Sequence, residues 1–439
     1  MRYRNFIFLL IAAVFLLSGC NMTSVNDLYC LPKRSESYTN LQNEIDKVME
    51  GLEYSAPISG EYQQTVQMAD LDGDGQEEYL LFAKGSADNP LQIFVFSRTE
   101  DDYTLLGNIK STGSSFQQVE YVDMDKEGGL EIIVGRQISD QVARSVSVYS
   151  LRNGQFEEIL KTTYTNFVCT DMDIDSKKEL LLLRQGEAET HNGVAELYNL
   201  ENGVLERTAQ ASMSRPAENI MRIMVSRLHD GLPAVYVASD AGNDAIITDV
   251  YAEVRGVFRN VTFSNETGTS IQTLRSYYVF ADDIDGDGTL ELPHLIDSRL
   301  PEDTIQEQRQ HIVRWYAMCS DGREADKQYT YHNFVGGWYL QLRNDLALRT
   351  AFVQKGSSYE MYLWDEDFTA SQKLLTIHVL TGSKREEQAT EQNRFVVLRT
   401  DTVVYAAELE VASATYGMSR EGLINNFHLI VQDWNNGET

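Results

Sequence analysis

After its first twenty residues this chain lacks any long hydrophobic run. No later segment approaches eighteen consecutive apolar positions, so none there can cross a bilayer as a helix. Cysteine is scarce. Cys20, Cys30, Cys169 and Cys319 are too few for a disulfide framework in 439 residues, and a chain of that length can bury two or three domain cores without one. Positive charge is thin as well: 37 Lys and Arg stand against 66 Asp and Glu, a formal charge of −29. Nucleic acid and anionic headgroups, negative themselves, are therefore excluded as partners, and bound cations are favoured. Catalytic signatures are missing: there is no Gly-x-Ser-x-Gly elbow, His-Glu-x-x-His pair, Gly-x-x-x-x-Gly-Lys loop or Cys-x-x-Cys pair. The seven histidines, among them His191, His294 and His378, are scattered without ligand spacing.

What is present begins with a targeting pattern. Arg2 and Arg4 precede an apolar stretch from Phe6 to Leu17, too short to span a membrane and of the length of a secretory signal. It ends in Leu17-Ser18-Gly19-Cys20, which resembles the lipobox of bacterial lipoproteins. The resemblance implies that residues 1–19 are removed and that Cys20 is lipidated, placing the protein on the outer face of a cell membrane, with a single-membrane bacterium favoured. Removal takes the charge from −29 to −31, because residues 1–19 hold two arginines and no acid. The remaining three cysteines allow one bridge or buried free thiols. Residues 20–56 read as a linker and a short amphipathic helix. Leu41, Ile45, Val48, Met49 and Leu52 recur at helical spacing, Thr39 and Gln42 form a capping-box pattern, and Gly51 marks the end. The helix either packs on the next domain or lies on the membrane.

Beyond it helix signals nearly vanish, and one pattern recurs four times. Asp70-Leu71-Asp72-Gly73-Asp74-Gly75-Gln76-Glu77-Glu78 has counterparts at Asp123, Asp125, Glu127 and Glu131, at Asp171, Asp173, Asp175 and Glu179, and at Asp283, Asp285, Asp287 and Glu291, each followed by an apolar strand. Carboxylates so crowded repel one another unless a hard cation holds them, and an oxygen-only donor set suits calcium. A degenerate copy, Ser226 to Ala234, fills the gap between the third and fourth loops. The loops begin at 70, 123, 171, 226 and 283, a period near fifty with several short strands per unit. Such a period predicts propeller blades, each a small antiparallel sheet that needs neighbours to bury its faces. The fold class expected is mainly β: a five-bladed β-propeller over residues 57–332, six- or seven-bladed if further copies are degenerate, then a small α+β domain over 333–439. Asn153-Gly154 and Asn202-Gly203 predict tight type I′ hairpins within the blades.

EF-hands need a bidentate Glu at the twelfth loop position between two helices, but here that position holds Leu81, Val134, Leu182 and His294 with strands downstream. The repeats instead resemble those of the VCBS and FG-GAP type found in integrin alpha-subunit propellers. That resemblance implies calcium ligation by the side chains at positions one, three, five and nine and by the backbone carbonyl of position seven. The implied ligands are Asp70, Asp72, Asp74, Gln76 and Glu78; Asp123, Asp125, Glu127, Gly129 and Glu131; Asp171, Asp173, Asp175, Lys177 and Glu179; and Asp283, Asp285, Asp287, Thr289 and Glu291. Gly75 and Gly288 suit a left-handed turn around the ion. Glu127 in the second loop, and Ser176 with Lys177 and Lys178 in the third, mark those two as the weaker binders. The ions are expected to be structural.

Residues 333–439 read as strands at 338–342, 349–353, 358–363, 374–380 and 395–398, a polar loop at 382–393, a helix capped by Ser419, and an apolar segment from Phe427 to Trp434. Anchor, repeats and missing catalytic set favour a calcium-stabilised binding or adhesion scaffold for a protein or glycan ligand at the cell envelope. The alternatives are a carbohydrate-active enzyme on the same scaffold, with paired carboxylates at the propeller axis, and an envelope assembly or sensory component acting through residues 333–439.

Overall fold

The computed structural model describes residues 36–86, 90–99, 102–138, 144–186, 192–276, 279–296, 312–334, 336–364 and 370–430. The signal segment, Cys20, Cys30, His191 and the end of the last apolar segment lie outside the described residues. Among the described residues no helix is long and apolar enough to cross a membrane.

The described residues form six antiparallel sheets that follow one another along the chain. The first contains Glu53–Tyr54, Val66–Ala69, Glu78–Lys84, Leu91–Thr99 and Asp102–Ser111. The second, third and fourth are four-stranded meanders over 115–164, 166–212 and 220–260. The fifth takes Leu292–Ile296, Ile312–Met318, Glu324–Asn333 and Trp338–Leu342, and is completed by Phe427–Leu429 from the chain's end. The boundary expected at 332/333 thus falls inside a hairpin of the fifth sheet. The sixth sheet spans 350–409 and includes a strand, Val403–Leu409, that the sequence reading did not anticipate.

Strand alternation explains how the sheets stack. In a strand, neighbouring side chains point to opposite faces, so a run buried on both sides must be apolar throughout. Leu80 and Phe82 pack toward the second sheet while Leu81 and Ala83 face the other way. Ile132 and Val134 face the first sheet and Ile133 the third. Leu180 and Leu182 join the second sheet, Leu181 and Leu183 the fourth. Val235 and Val237 continue the pattern against Ala234 and Tyr236, which meet the fifth sheet. The largest cluster ties the fifth to the sixth through Tyr331, Trp338, Phe352 and Phe427.

The two ends of this series are finished differently. The outward face of the first sheet, formed by Leu81, Ala83, Phe94, Phe96 and Tyr103, is covered by α1 (Glu36–Val48) through Leu41 and Ile45. The helix is therefore packed on protein. It begins before Thr39, which therefore lies within the helix instead of at its N-cap, and Gln42 donates to Asp46 at 2.8 Å. Gly51, at φ +75°, turns the chain out of the helix as anticipated. The outward face of the sixth sheet is polar along one part, where Lys355 and Lys373 flank Glu360 and Lys373 pairs with Glu410 at 2.8 Å, and elsewhere its apolar residues Leu380, Val404 and Ala406 are buried with Ala389 beside the short helix Arg385–Gln388. A stacked array needs such finishing at both ends, since an apolar face left open would aggregate. Among the described residues, no hydrophobic cluster joins the sixth sheet to the first.

Both anticipated hairpins have left-handed central pairs, Asn153 and Gly154 at +50° and +72°, Asn202 and Gly203 at +52° and +80°. Cys169 and Cys319 are free thiols.

Candidate metal centres

Each acidic loop leads into a strand of its sheet at the ninth-position glutamate: Glu78, Glu131 and Glu179 are the first residues of their strands, and Glu291 bridges Asp282 just before Leu292. The second loop residue is a buried peg, Leu71, Met124, Met172 or Ile284, which fixes the loop to the core. Its backbone N–H donates to the glutamate Oε2 at 2.9, 3.0, 2.7 and 3.1 Å in the four loops. All four glutamates are buried, Glu291 completely. One oxygen of each is thus committed to the backbone, and in the first, third and fourth copies one oxygen of the glutamate lies within 4.8 Å of oxygens from two loop aspartates.

The aspartates organise the turn by accepting backbone N–H groups, which is what short acidic side chains do well. Asp70 accepts from Gly73 at 2.8 Å and Gly75 at 2.9 Å, and Asp171 accepts from Ile174 at 2.7 Å and Ser176 at 3.0 Å. Asp72, Asp125, Asp173 and Asp285 each accept from the residue two positions on. Asp74, Asp175 and Asp287 accept from Gln76, Lys177 and Thr289 in the same way and remain exposed. Positions four and six are both left-handed, where only position six was expected: Gly73 and Gly75, Lys126 and Gly128, Ile174 and Ser176, Gly286 and Gly288 all have positive φ. Ile174 is the costly one, because a β-branched residue at φ +67° crowds its own carbonyl. Its side chain is exposed. Ile174→Gly should therefore stabilise the ion-free chain by about 1 kcal/mol, read as an increased denaturant midpoint in chelator.

In three loops the carboxylates converge. Asp70, Asp72 and Glu78, then Asp171, Asp173 and Glu179, then Asp283, Asp285 and Glu291, each bring one oxygen apiece within 4.8 Å of one another. An ion about 2.4 Å from each oxygen fits that spacing, because ligands on opposite sides of calcium lie about twice that distance apart. The donor set is oxygen throughout. In the fourth loop Glu291 Oε1 and Asp283 Oδ1 are buried with no hydrogen-bond partner, a costly arrangement that a cation would relieve. These residues fit a hard divalent ion.

The second loop does not converge among the described residues. Asp123 accepts only from Lys126, at 2.6 Å, and the second oxygen of Glu131 is already taken by the Ser150 hydroxyl at 3.1 Å. Glu127 is exposed, and Lys126 reaches away to the backbone carbonyl of Asp175 in the third loop. Gly129 serves packing: a Cβ there would meet the Leu71 carbonyl oxygen at 2.7 Å, and one on Gly73 would meet the Gly128 carbonyl carbon at 2.8 Å. Loops one, two and three consequently form one continuous rim. The third loop, despite Ser176, Lys177 and Lys178, gathers its carboxylates as the first and fourth do.

Burial raises the proton affinity of the ninth-position acids. Glu179 is pushed up to about 7 and Glu291 to about 8, by burial first and then by neighbouring aspartates; Glu78 and Glu131 move in the same direction for the same leading reason. Asp287 moves down because Lys327 pairs with it. Lys327, Lys126 and Ser150 had not been singled out from the sequence. They come from other turns and strands, and nothing in their local spacing marks them.

Two polar grooves follow the rim. One is lined by Asp72, Asp125, Glu127 and Arg152, the other by Asp125, Glu127, Arg152, Lys177 and Asn202. Arg152 is common to both, donating to the Gly203 carbonyl at 2.8 Å.

No protein-family model matches this chain, and no curated protein matches it. Solved structures similar to it include a protein from Lactobacillus plantarum at 11% identity and TM-score 0.29, covering 72% of this chain and 85% of that one. Rhamnogalacturonan lyase YesW aligns at 12% identity and TM-score 0.29, over 73% of this chain and 72% of its own. A putative 6-phosphogluconolactonase from Bacteroides uniformis aligns at 11% identity and TM-score 0.30, over 69% and 82%.

Proposed function

We propose that this chain is a non-catalytic binding scaffold: a propeller-like series of blades with calcium at its acidic turns, held by lipidated Cys20 on the outer face of the membrane and offering a rim to a protein or glycan ligand. The observation that carries the reading is the convergence of three carboxylates in three separate loops at equivalent places in their sheets. Bound calcium supplies charge neutralisation there and takes no part in a reaction. The chain's own residues do the rest. The buried pegs anchor each turn, the aspartates gather backbone donors, and the ninth-position glutamates close the site from the strand side. With turns one to three in contact, ordering them fixes the grooves around Arg152, where carboxylates, a guanidinium and backbone groups lie together as polar ligands require.

The test is capture on glycan and envelope-protein arrays by the full chain, with calcium and with chelator. A ligand retained in calcium and lost both in chelator and in Arg152→Ala supports the scaffold reading. Cleavage of a polysaccharide by the purified chain overturns it in favour of an enzyme.

A further inference from the structure

Resting on the calcium reading above, the fourth loop differs from the first and third in one respect that its repeat pattern does not predict. Lys327, on the strand Glu324–Asn333 of the same sheet, pairs through its ammonium with Asp287 and lies 3.6 Å from Asp285 Oδ2. Its side chain is largely buried, so the ammonium is directed at the loop instead of sweeping through solvent. Asp285 and Asp287 are the third- and fifth-position acids. Among the described residues, no Lys or Arg side chain pairs with the carboxylates of Asp72 and Asp74 in the first loop or of Asp173 and Asp175 in the third, where the Lys126 ammonium meets only the Asp175 backbone carbonyl. The deeper half of the fourth site stays unsatisfied: Glu291, fully buried, leaves Oε1 without a partner, and so does Asp283 Oδ1.

We propose that Lys327 is a built-in competitor for the cation at the fourth loop, making this the weak, concentration-responsive site while the first and third fill earlier. The reasoning is electrostatic. An ammonium against Asp285 and Asp287 neutralises the outer acids without a metal, which holds the loop in shape at low cation concentration. A divalent ion seated among Asp283, Asp285 and Glu291 must share Asp285 with that ammonium or push it outward, and two cations at such separation repel strongly in a partly buried setting. The ammonium cannot reach the orphaned oxygens of Glu291 and Asp283 while it is bound to Asp287. A driving force for the ion therefore remains. The result is a site that is competent but opposed.

Calorimetric titration of the full chain in detergent with calcium tests this. Glu291→Gln identifies the fourth-loop event as the one it abolishes, and that event should be the weakest in the unaltered chain. Lys327→Met, which keeps the length and removes the charge, should tighten that event about tenfold or more and leave the others unchanged. Lys327→Arg should leave it weak. If Lys327→Met does not fold, Lys327→Gln replaces it with the same expectation. A Glu291-dependent constant unchanged or weakened by loss of the lysine charge, with normal binding at the other loops, overturns the proposal alone. Absence of calcium binding at every loop overturns both the proposal and the calcium reading on which it stands.

Discussion

Calcium added to the chelated chain should raise its melting temperature by about 10 °C. A ligand that binds only the folded state at a hundredfold excess over its dissociation constant contributes about 2.7 kcal/mol per site, so three occupied loops contribute on the order of 8 kcal/mol. In a protein of this size each kilocalorie moves the midpoint by roughly one to two degrees. The physical origin is specific to these turns. In the chelated state Asp70, Asp72 and Glu78 hold three oxygens within 4.8 Å with no counter-charge, and the third loop repeats the arrangement. Glu78→Gln with Glu179→Gln keeps the shape of both side chains but removes a charge and an oxygen from each loop. That pair of changes should abolish about two thirds of the calcium-induced rise while leaving the fourth loop's share. Differential scanning calorimetry in calcium and in chelator measures both. An unchanged midpoint on chelation would remove the ions from the account of this fold.

Much of this arrangement could be read from local sequence because it is enforced by local chemistry. The acid at position nine begins a strand, so Glu78, Glu131 and Glu179 mark where sheets one to three resume. Asn-Gly pairs at 153–154 and 202–203 turn as their backbone freedom dictates, although the pairs Asn243-Asp244 and Arg255-Gly256, left-handed at both residues too, went unread. The runs Tyr79 to Phe82 and Leu180 to Leu183 declared strands buried on both faces, which the alternating clusters bear out. What escaped was non-local. Residues 333–439 read as a separate small domain, yet Trp338–Leu342 pairs backward with Glu324–Asn333 and forward with Phe427–Leu429, almost ninety residues on. No periodicity records such a pairing. Lys327 escaped in the same way, since forty positions separate it from Asp287. The second loop shows the complementary limit: its acids occupy the repeat positions, but Ser150 on a neighbouring strand donates to the Glu131 oxygen that the backbone leaves open.

The proton should compete with calcium for these glutamates, so stability should fall with pH in the chelated form and stay nearly level in the calcium-loaded form. In chelator, Glu179 and Glu291 are raised from 4.5 to about 7 and about 8 because burial disfavours their charge. A carboxyl raised on folding adds stability that is complete below the unfolded value of 4.5 and is lost as pH climbs through the folded value. The chelated chain should therefore melt several degrees higher at about pH 6 than at about pH 8. His332 sets the lower limit of this gain. Burial lowers it from 6.5 to about 3 and lowers His378 to about 4, so their contributions are present above 6.5 and decline as pH falls, offsetting the two glutamates and levelling the chelated branch below about pH 6.5. Calcium should abolish that slope between pH 6 and 8. With the ion bound, Glu179 and Glu291 stay ionised, as they are in the unfolded chain above 4.5, so folding exchanges no proton at them and stability should stay nearly level across the interval. The melting curves of the chelated and calcium-loaded forms against pH should diverge toward pH 8 and close toward pH 6. Glu291→Gln, which cannot titrate, should flatten the chelated branch. Parallel slopes in the two conditions would mean that the buried glutamates and the ion do not share a site.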